Sequence, residues 1–167
     1  IPSLEKPLNT QFFVLGENRE GADKLLDHAE IYIDFFTRIF GQYPWLKEKL
    51  GIVNTPYLGM EHQTIIAYGN DYKYNDKGYD FLLFHELAHE WWGNYLSVSD
   101  WADFWIHEGF AIYSEALFVE EKYGLNEYNN FFKKNLLKKI PLNRPVVLDR
   151  NSTMKQIMGL DPYYKGA

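Results

Sequence analysis

With 167 residues, 46% of them hydrophobic and 18% aromatic, the chain is long enough for one domain with a substantial core. A net charge of −6 argues against a nucleic-acid partner, and the absence of cysteine excludes both a disulfide framework and a thiolate metal site. No apolar run approaches the roughly 20 residues of a membrane span, and nothing in the composition assigns a compartment, so localisation is unknown at this level.

The opening IPSLEKP has neither an initiator Met nor a signal-peptide pattern. Residues 11–15, QFFVL, read as a strand ended by Gly16. From 20 to 40, Leu25, Ala29, Tyr32, Phe36 and Phe40 recur at helical spacing, and Ile33 and Ile39 widen the stripe. Gly41 is placed to stop this helix and Pro44 forbids its continuation. His28 lies beside Ala29 with no second ligand type spaced to it, which suits a surface or boundary residue. Residues 51–54 read as a strand before the breaker Pro56, and 57–68, YLGMEHQTIIAY, as a second strand. Gly59 near its start marks a place where another group approaches the backbone closely. Residues 69–78 form a polar loop that lacks the order and closing Glu of a calcium loop.

Residues 81–96, FLLFHELAHEWWGNYL, leave almost no polar side, which predicts a buried helix over about 79–96. Such a helix seldom carries His85, Glu86, His89 and Glu90 unless something pairs them. His85-Glu86-Leu87-Ala88-His89 is an H-E-x-x-H pattern. Residues four apart share one helix face, so both imidazoles point the same way and can bind one zinc ion. Glu86, about 100° round the helix from His85, can reach a water there without being a ligand, as a general base must. A catalytic zinc needs a third protein ligand and an open position. Trp92 and Tyr95 stand where the longer H-E-x-x-H-x-x-G-x-x-H pattern needs Gly and His, which excludes that class. Glu108, in Trp105-Ile106-His107-Glu108-Gly109-Phe110-Ala111, follows His89 after eighteen residues. That gap suits a finished helix, a turn and a second helix packing back.

The second helix is expected over about 101–122, with Asp100 a candidate N-cap and Gly124 placed to end it. Glu115, two turns beyond Glu108 on the same face, fits equally a partner that orients a zinc histidine and an exposed acid. A further helix is expected over 126–139, with Lys138 and Lys139 in its last turn and Pro141 ending it. Residues 141–150 read as extended and a short helix is expected near 152–159.

The H-E-x-x-H pattern, the eighteen-residue gap and Glu108 within W-I-H-E-G-F-A resemble the gluzincin metallopeptidases, and within them the M1 aminopeptidase family. Gly59-Met60-Glu61-His62 resembles that family's G-x-M-E-N motif, and Tyr163-Tyr164-Lys165-Gly166-Ala167 its Y-x-K-G-A segment. Leu58, His62 and His107 depart from the family's usual Gly, Asn and Asn. The resemblance implies an α+β, thermolysin-like (zincin) catalytic domain, mostly helical, with a small sheet whose edge strand lines the site. It implies one zinc per chain on His85, His89 and Glu108, with Glu86 as base and Tyr163 donating to the oxyanion. It also implies a substrate-binding segment at Gly59, Met60 and Glu61, in which Glu61 faces the α-ammonium of a peptide with a free N-terminus. A lone strand glutamate would otherwise be read as solvated. By the same resemblance, a β-rich domain before this one and a helical domain after it are absent, and they would be its partners. Two alternatives stay open: a thermolysin-like endopeptidase, and a non-catalytic zinc-stabilised peptide-binding module. Epoxide hydrolysis, known in one branch of the family, is not selected by any residue.

Overall fold

A computed structural model describes residues 1–137, 145–147, 149–157 and 162–167. They form two compact units, 1–95 and 96–167. The first contains β1 (Thr10–Phe13), α1 (Arg19–Phe40), β2 (Leu50–Asn54), β3 (Gly59–Met60), β4 (Ile65–Tyr68) and α2 (Phe81–Ala88). The sheet order is β1-β2-β4-β3, with β2 parallel to both β1 and β4 and with β3 antiparallel to β4 at the edge. The second unit contains α3 (Trp105–Tyr123), α4 (Leu125–Phe131), α5 (Met154–Ile157) and α6 (Pro162–Gly166). The expected α+β class, with a small sheet among helices, is what the chain adopts.

The apolar stripe of α1 becomes the core of the first unit. Leu25, Ala29, Tyr32, Ile33, Phe35 and Phe36 are buried, as are Leu83, Phe84 and Leu87 of α2. The rings interlock edge to face and tilted: Phe36 and Phe84 lie 4.7 Å apart between centroids, Tyr32 and Phe84 5.2 Å, and Phe36 and Trp91 5.3 Å. Aromatic pairs at these separations add about 0.5–1.5 kcal/mol each beyond the area they bury. The indole of Trp91 also donates to the Gly41 carbonyl at 3.0 Å, tying the segment after α2 to the end of α1.

Two expected boundaries are corrected. Residues 57–68 are not one strand. The chain turns through Glu61–Thr64 and returns as β4, so that Gly59 pairs with Tyr68 and Met60 with Ala67. His62 N–H donates to the Met60 carbonyl and Ile65 N–H to the His62 carbonyl, while Thr64 takes a left-handed φ of 60°. No Gly, Pro, Asn or Asp stands between Met60 and Ile65, so the turn carries none of the usual local marks. Helix α2 likewise stops at Ala88 rather than near 96. The N–H groups of Glu90 and Trp91 bond three residues back, to Leu87 and Ala88, which tightens the last turn. Gly93 then takes a φ of 142°, a conformation that favours glycine.

In the second unit, Asp100 caps a 3₁₀ turn over Trp101–Asp103 by accepting from Ala102 N–H at 2.8 Å, and α3 follows. Gly124, with φ 86°, ends α3 as expected. The expected helix over 126–139 is α4 running into a π-helical turn at Phe132–Leu136. Its expected end at Lys138, Lys139 and Pro141 lies outside the described residues, as do 141–144 and 148 of the expected extended segment and 158–159 of the expected last helix.

Candidate active site

Helix α2 is set in place at its first turn. Asp80, fully buried, is its N-cap and accepts from Leu83 N–H at 2.9 Å. The same carboxylate accepts from the Tyr68 hydroxyl at 2.5 Å and from Asn70 Nδ2 at 3.2 Å, and Asp80 N–H donates to the Tyr32 hydroxyl at 3.0 Å. Burial, together with the Asp80 charge beside it, raises the Tyr68 hydroxyl well above its ordinary pKa, so it stays a donor. One buried residue, Asp80, thus joins α1 through its N–H and β4 and the start of α2 through its carboxylate.

One turn further on, His85 is half-buried and His89 buried. His89 is the helix C-cap but keeps right-handed helical angles (φ −65°, ψ −18°), so the i, i+4 relationship survives the early end of α2. His89 Nδ1 lies 2.9 Å from the Trp92 carbonyl, which can only accept, so Nδ1 carries the proton and Nε2 presents its lone pair. His85 Nε2 and His89 Nε2 are 3.1 Å apart. Two tetrahedral Zn–N bonds of about 2.0–2.1 Å span about 3.3 Å, so this pair of nitrogens fits a zinc ion with little adjustment.

Glu61, Glu86 and His89 each offer a ligand-type atom, all within 4.8 Å of one another. The turn at the sheet edge therefore brings Glu61 to the carboxylate and imidazole of α2. Gly59 allows this approach: a Cβ there would stand 2.6 Å from Glu86 Oε1 and 2.8 Å from Leu82 Cδ1. Met60 points into exposed space on the edge strand, and His62 is exposed.

In the second unit Glu108 lies buried in the first turn of α3, and Glu115 is half-buried two turns on. His107 is buried and its Nε2 accepts from Val98 N–H at 3.3 Å. Tyr163 is half-buried on α6, which crosses α3 at two glycines: a Cβ on Gly109 would lie 2.5 Å from the Gly166 carbonyl carbon.

Two residues beside the site received no role from the sequence. Glu90, fully buried, accepts from Thr64 N–H at 2.9 Å. Burial pushes its pKa up to about 7, opposed by the Thr64 N–H that it accepts and by the nearby polar groups of Asn94, Trp45 and Tyr43. Asn94 Nδ2 donates to the Glu61 carbonyl at 2.9 Å. Glu90 was detectable only as an acid on an otherwise apolar segment, and Asn94 carried no signal.

The profile of the Peptidase family M1 domain matches residues 25–167. The chain belongs to peptidase family M1. It is 28% identical over 165 residues to endoplasmic reticulum aminopeptidase 2 of Homo sapiens, covering 86% of this chain and 16% of that protein. It is 32% identical over 131 residues to transcription initiation factor TFIID subunit 2 of Schizosaccharomyces pombe, covering 71% of this chain and 11% of that protein. Among solved structures it resembles a mutant M1 zinc metallopeptidase from Deinococcus radiodurans bound to a Tyr-Ser-Ala substrate. The TM-score is 0.63 at 27% identity, over 82% of this chain and 30% of that one. This M1 chain therefore spans a small part of the curated relatives it matches. Among the described residues, no helix is long and apolar enough to cross a membrane.

Proposed function

We propose that this M1 chain is the catalytic part of a zinc aminopeptidase, which removes N-terminal residues from peptides, and that further domains flank it in the whole protein. The observation that carries the reading is the convergence of Glu61, Glu86 and His89 within 4.8 Å. A peptidase that acts anywhere along a chain has no use for a carboxylate beside its base. An enzyme that must recognise an α-ammonium next to the scissile bond does.

His85, His89 and Glu108 would hold one zinc ion, Glu108 by its place in the sequence motif eighteen residues after His89. When bound, zinc supplies Lewis-acid polarisation of the scissile carbonyl and acidifies water toward a pKa of about 7. Glu86, buried and within the Glu61 and His89 cluster, accepts a proton from the attacking water and hands it to the leaving amine. Glu61 pairs with the substrate's α-ammonium and sets the register, so that the first peptide bond faces Glu86. Gly59 and Met60 lie on an edge strand, whose outer backbone groups can pair with an extended peptide. Tyr163 donates its hydroxyl to the developing oxyanion. Glu115 is proposed as the carboxylate that steadies a zinc histidine.

The relative named as a TFIID subunit keeps a second reading in view, a peptide-binding module without turnover. Glu86 speaks for hydrolysis, because a structural zinc site needs no base and is normally closed by four protein ligands. The test compares one peptide with a free and an N-acetylated end in the zinc-loaded protein. Cleavage of the free peptide alone is the expected result. Equal cleavage of both would make the protein an endopeptidase, and cleavage of neither would favour the binding module.

A further inference from the structure

The turn that carries Glu61 is held from below by two residues that follow the second histidine. Thr64, a β-branched residue in a left-handed conformation (φ 60°), is pinned on both sides. Its N–H donates to the Glu90 carboxylate at 2.9 Å and its carbonyl accepts from Gly51 N–H at 2.8 Å. A non-glycine residue keeps such angles only where its surroundings over-determine them. Asn94 Nδ2 donates to the Glu61 carbonyl at 2.9 Å, and the same side chain lies close enough to the Glu90 carboxyl to favour its charged form. Tyr43 and Trp45 also lie near that carboxyl. The two ends of the Glu61–Thr64 turn are therefore fastened, Glu61 by Asn94 and Thr64 by Glu90, while His62 and Gln63 between them are exposed.

We propose that Glu90 and Asn94 are positioning residues for the substrate's amino group: they hold the Glu61–Thr64 turn so that the Glu61 carboxylate stands beside Glu86 and His89. This rests on the reading of Glu61 as the partner of the α-ammonium. Glu90 acts as a hydrogen-bond acceptor for Thr64 and Asn94 as a donor to Glu61, and neither touches the substrate. A charge pair is only as selective as its geometry is fixed beforehand. Releasing either fastening frees Glu61 to move away from the cluster without altering any zinc ligand.

The test measures binding rather than turnover. Leucine hydroxamate and its des-amino analogue, isocaproic hydroxamate, are titrated calorimetrically into the zinc-loaded protein, with zinc content measured for every variant. Both present the same hydroxamate to the metal, so the ratio of their dissociation constants reads the amine subsite alone. The wild-type protein should prefer the amine by about 10- to 100-fold, as a charge-assisted contact of about 1.5–3 kcal/mol requires. Glu90→Ala and Asn94→Ala should bring the ratio toward one at unchanged zinc content. Glu90→Gln, which keeps an acceptor for Thr64 N–H, should retain most of it. A wild-type preference that survives both alanine variants overturns the positioning role while leaving Glu61 as the amine's partner. A wild-type ratio near one overturns the Glu61 reading itself, and this inference with it. A ratio lost as fully in Glu90→Gln as in Glu90→Ala overturns the acceptor role. If Glu90→Ala does not fold, Asn94→Ala, a change at a half-buried position beyond α2, decides the question alone.

Discussion

A Cβ placed on Gly109 would lie 2.5 Å from the carbonyl carbon of Gly166 and 2.7 Å from its Cα and oxygen. Gly109 sits next to Glu108 on α3, and Gly166 closes α6, three residues beyond Tyr163. The contact is backbone against backbone, so a methyl group cannot be absorbed by a side-chain rotation. Gly109→Ala should therefore force α6 away from α3. Overpacking of this kind costs about 1–3 kcal/mol. Tyr163 should lose its set position, and kcat should fall with the zinc content unchanged. Thermal unfolding, zinc analysis and steady-state kinetics on the one variant check all three outcomes.

Gly59 gives the opposite case. A methyl group there meets the far ends of two side chains, Glu86 Oε1 at 2.6 Å and Leu82 Cδ1 at 2.8 Å. Both ends can turn aside, so Gly59→Ala should fold at a smaller cost than Gly109→Ala. The displaced base should nevertheless lower kcat by about tenfold or more, since general-base catalysis depends on hydrogen-bond reach. A variant with wild-type turnover would show that the Glu86 carboxylate need not stay where it stands.

Replacing the base itself should be more severe. Glu86→Gln keeps the shape and removes the proton acceptor, so kcat should fall by about 10²–10⁴-fold while zinc is retained. Zinc analysis alongside single-turnover kinetics separates this from a loss of metal.

Metal removal should act through both histidines and Glu108. A chelator should abolish hydrolysis, and one equivalent of zinc per chain should restore it. Glu108→Ala should weaken zinc binding; undiminished affinity in that variant would exclude it as a ligand.

Asp80 bears on stability rather than chemistry. Asp80→Ala removes the cap of α2 and leaves Tyr68, Asn70 and the Leu83 N–H without their shared acceptor. A lost cap and buried groups left unsatisfied together cost about 2–4 kcal/mol. In a unit of this size that corresponds to a fall in Tm of roughly 10 °C or more, measurable by calorimetry.

The common helical face of His85 and His89, with Glu86 beside it, was legible from spacing alone, because an i, i+4 relationship is local and survives although α2 ends at Ala88, one residue before His89. The stops at Gly41 and Gly124 and the cap at Asp100 were legible for the same reason, as each acts on backbone groups within a turn of itself. The turn at Glu61–Thr64 was not. No residue in it is a turn former, and it exists because Glu90, 26 residues away in sequence, accepts the Thr64 N–H in a buried site. The crossing of Gly109 and Gly166 was equally hidden, since both glycines were visible within motifs but not their contact. Local chemistry in the sequence determined which side chains could carry a metal and a base. Packing between distant segments decided which carboxylate came to stand beside them, because a buried polar group takes the partner that the fold brings to it.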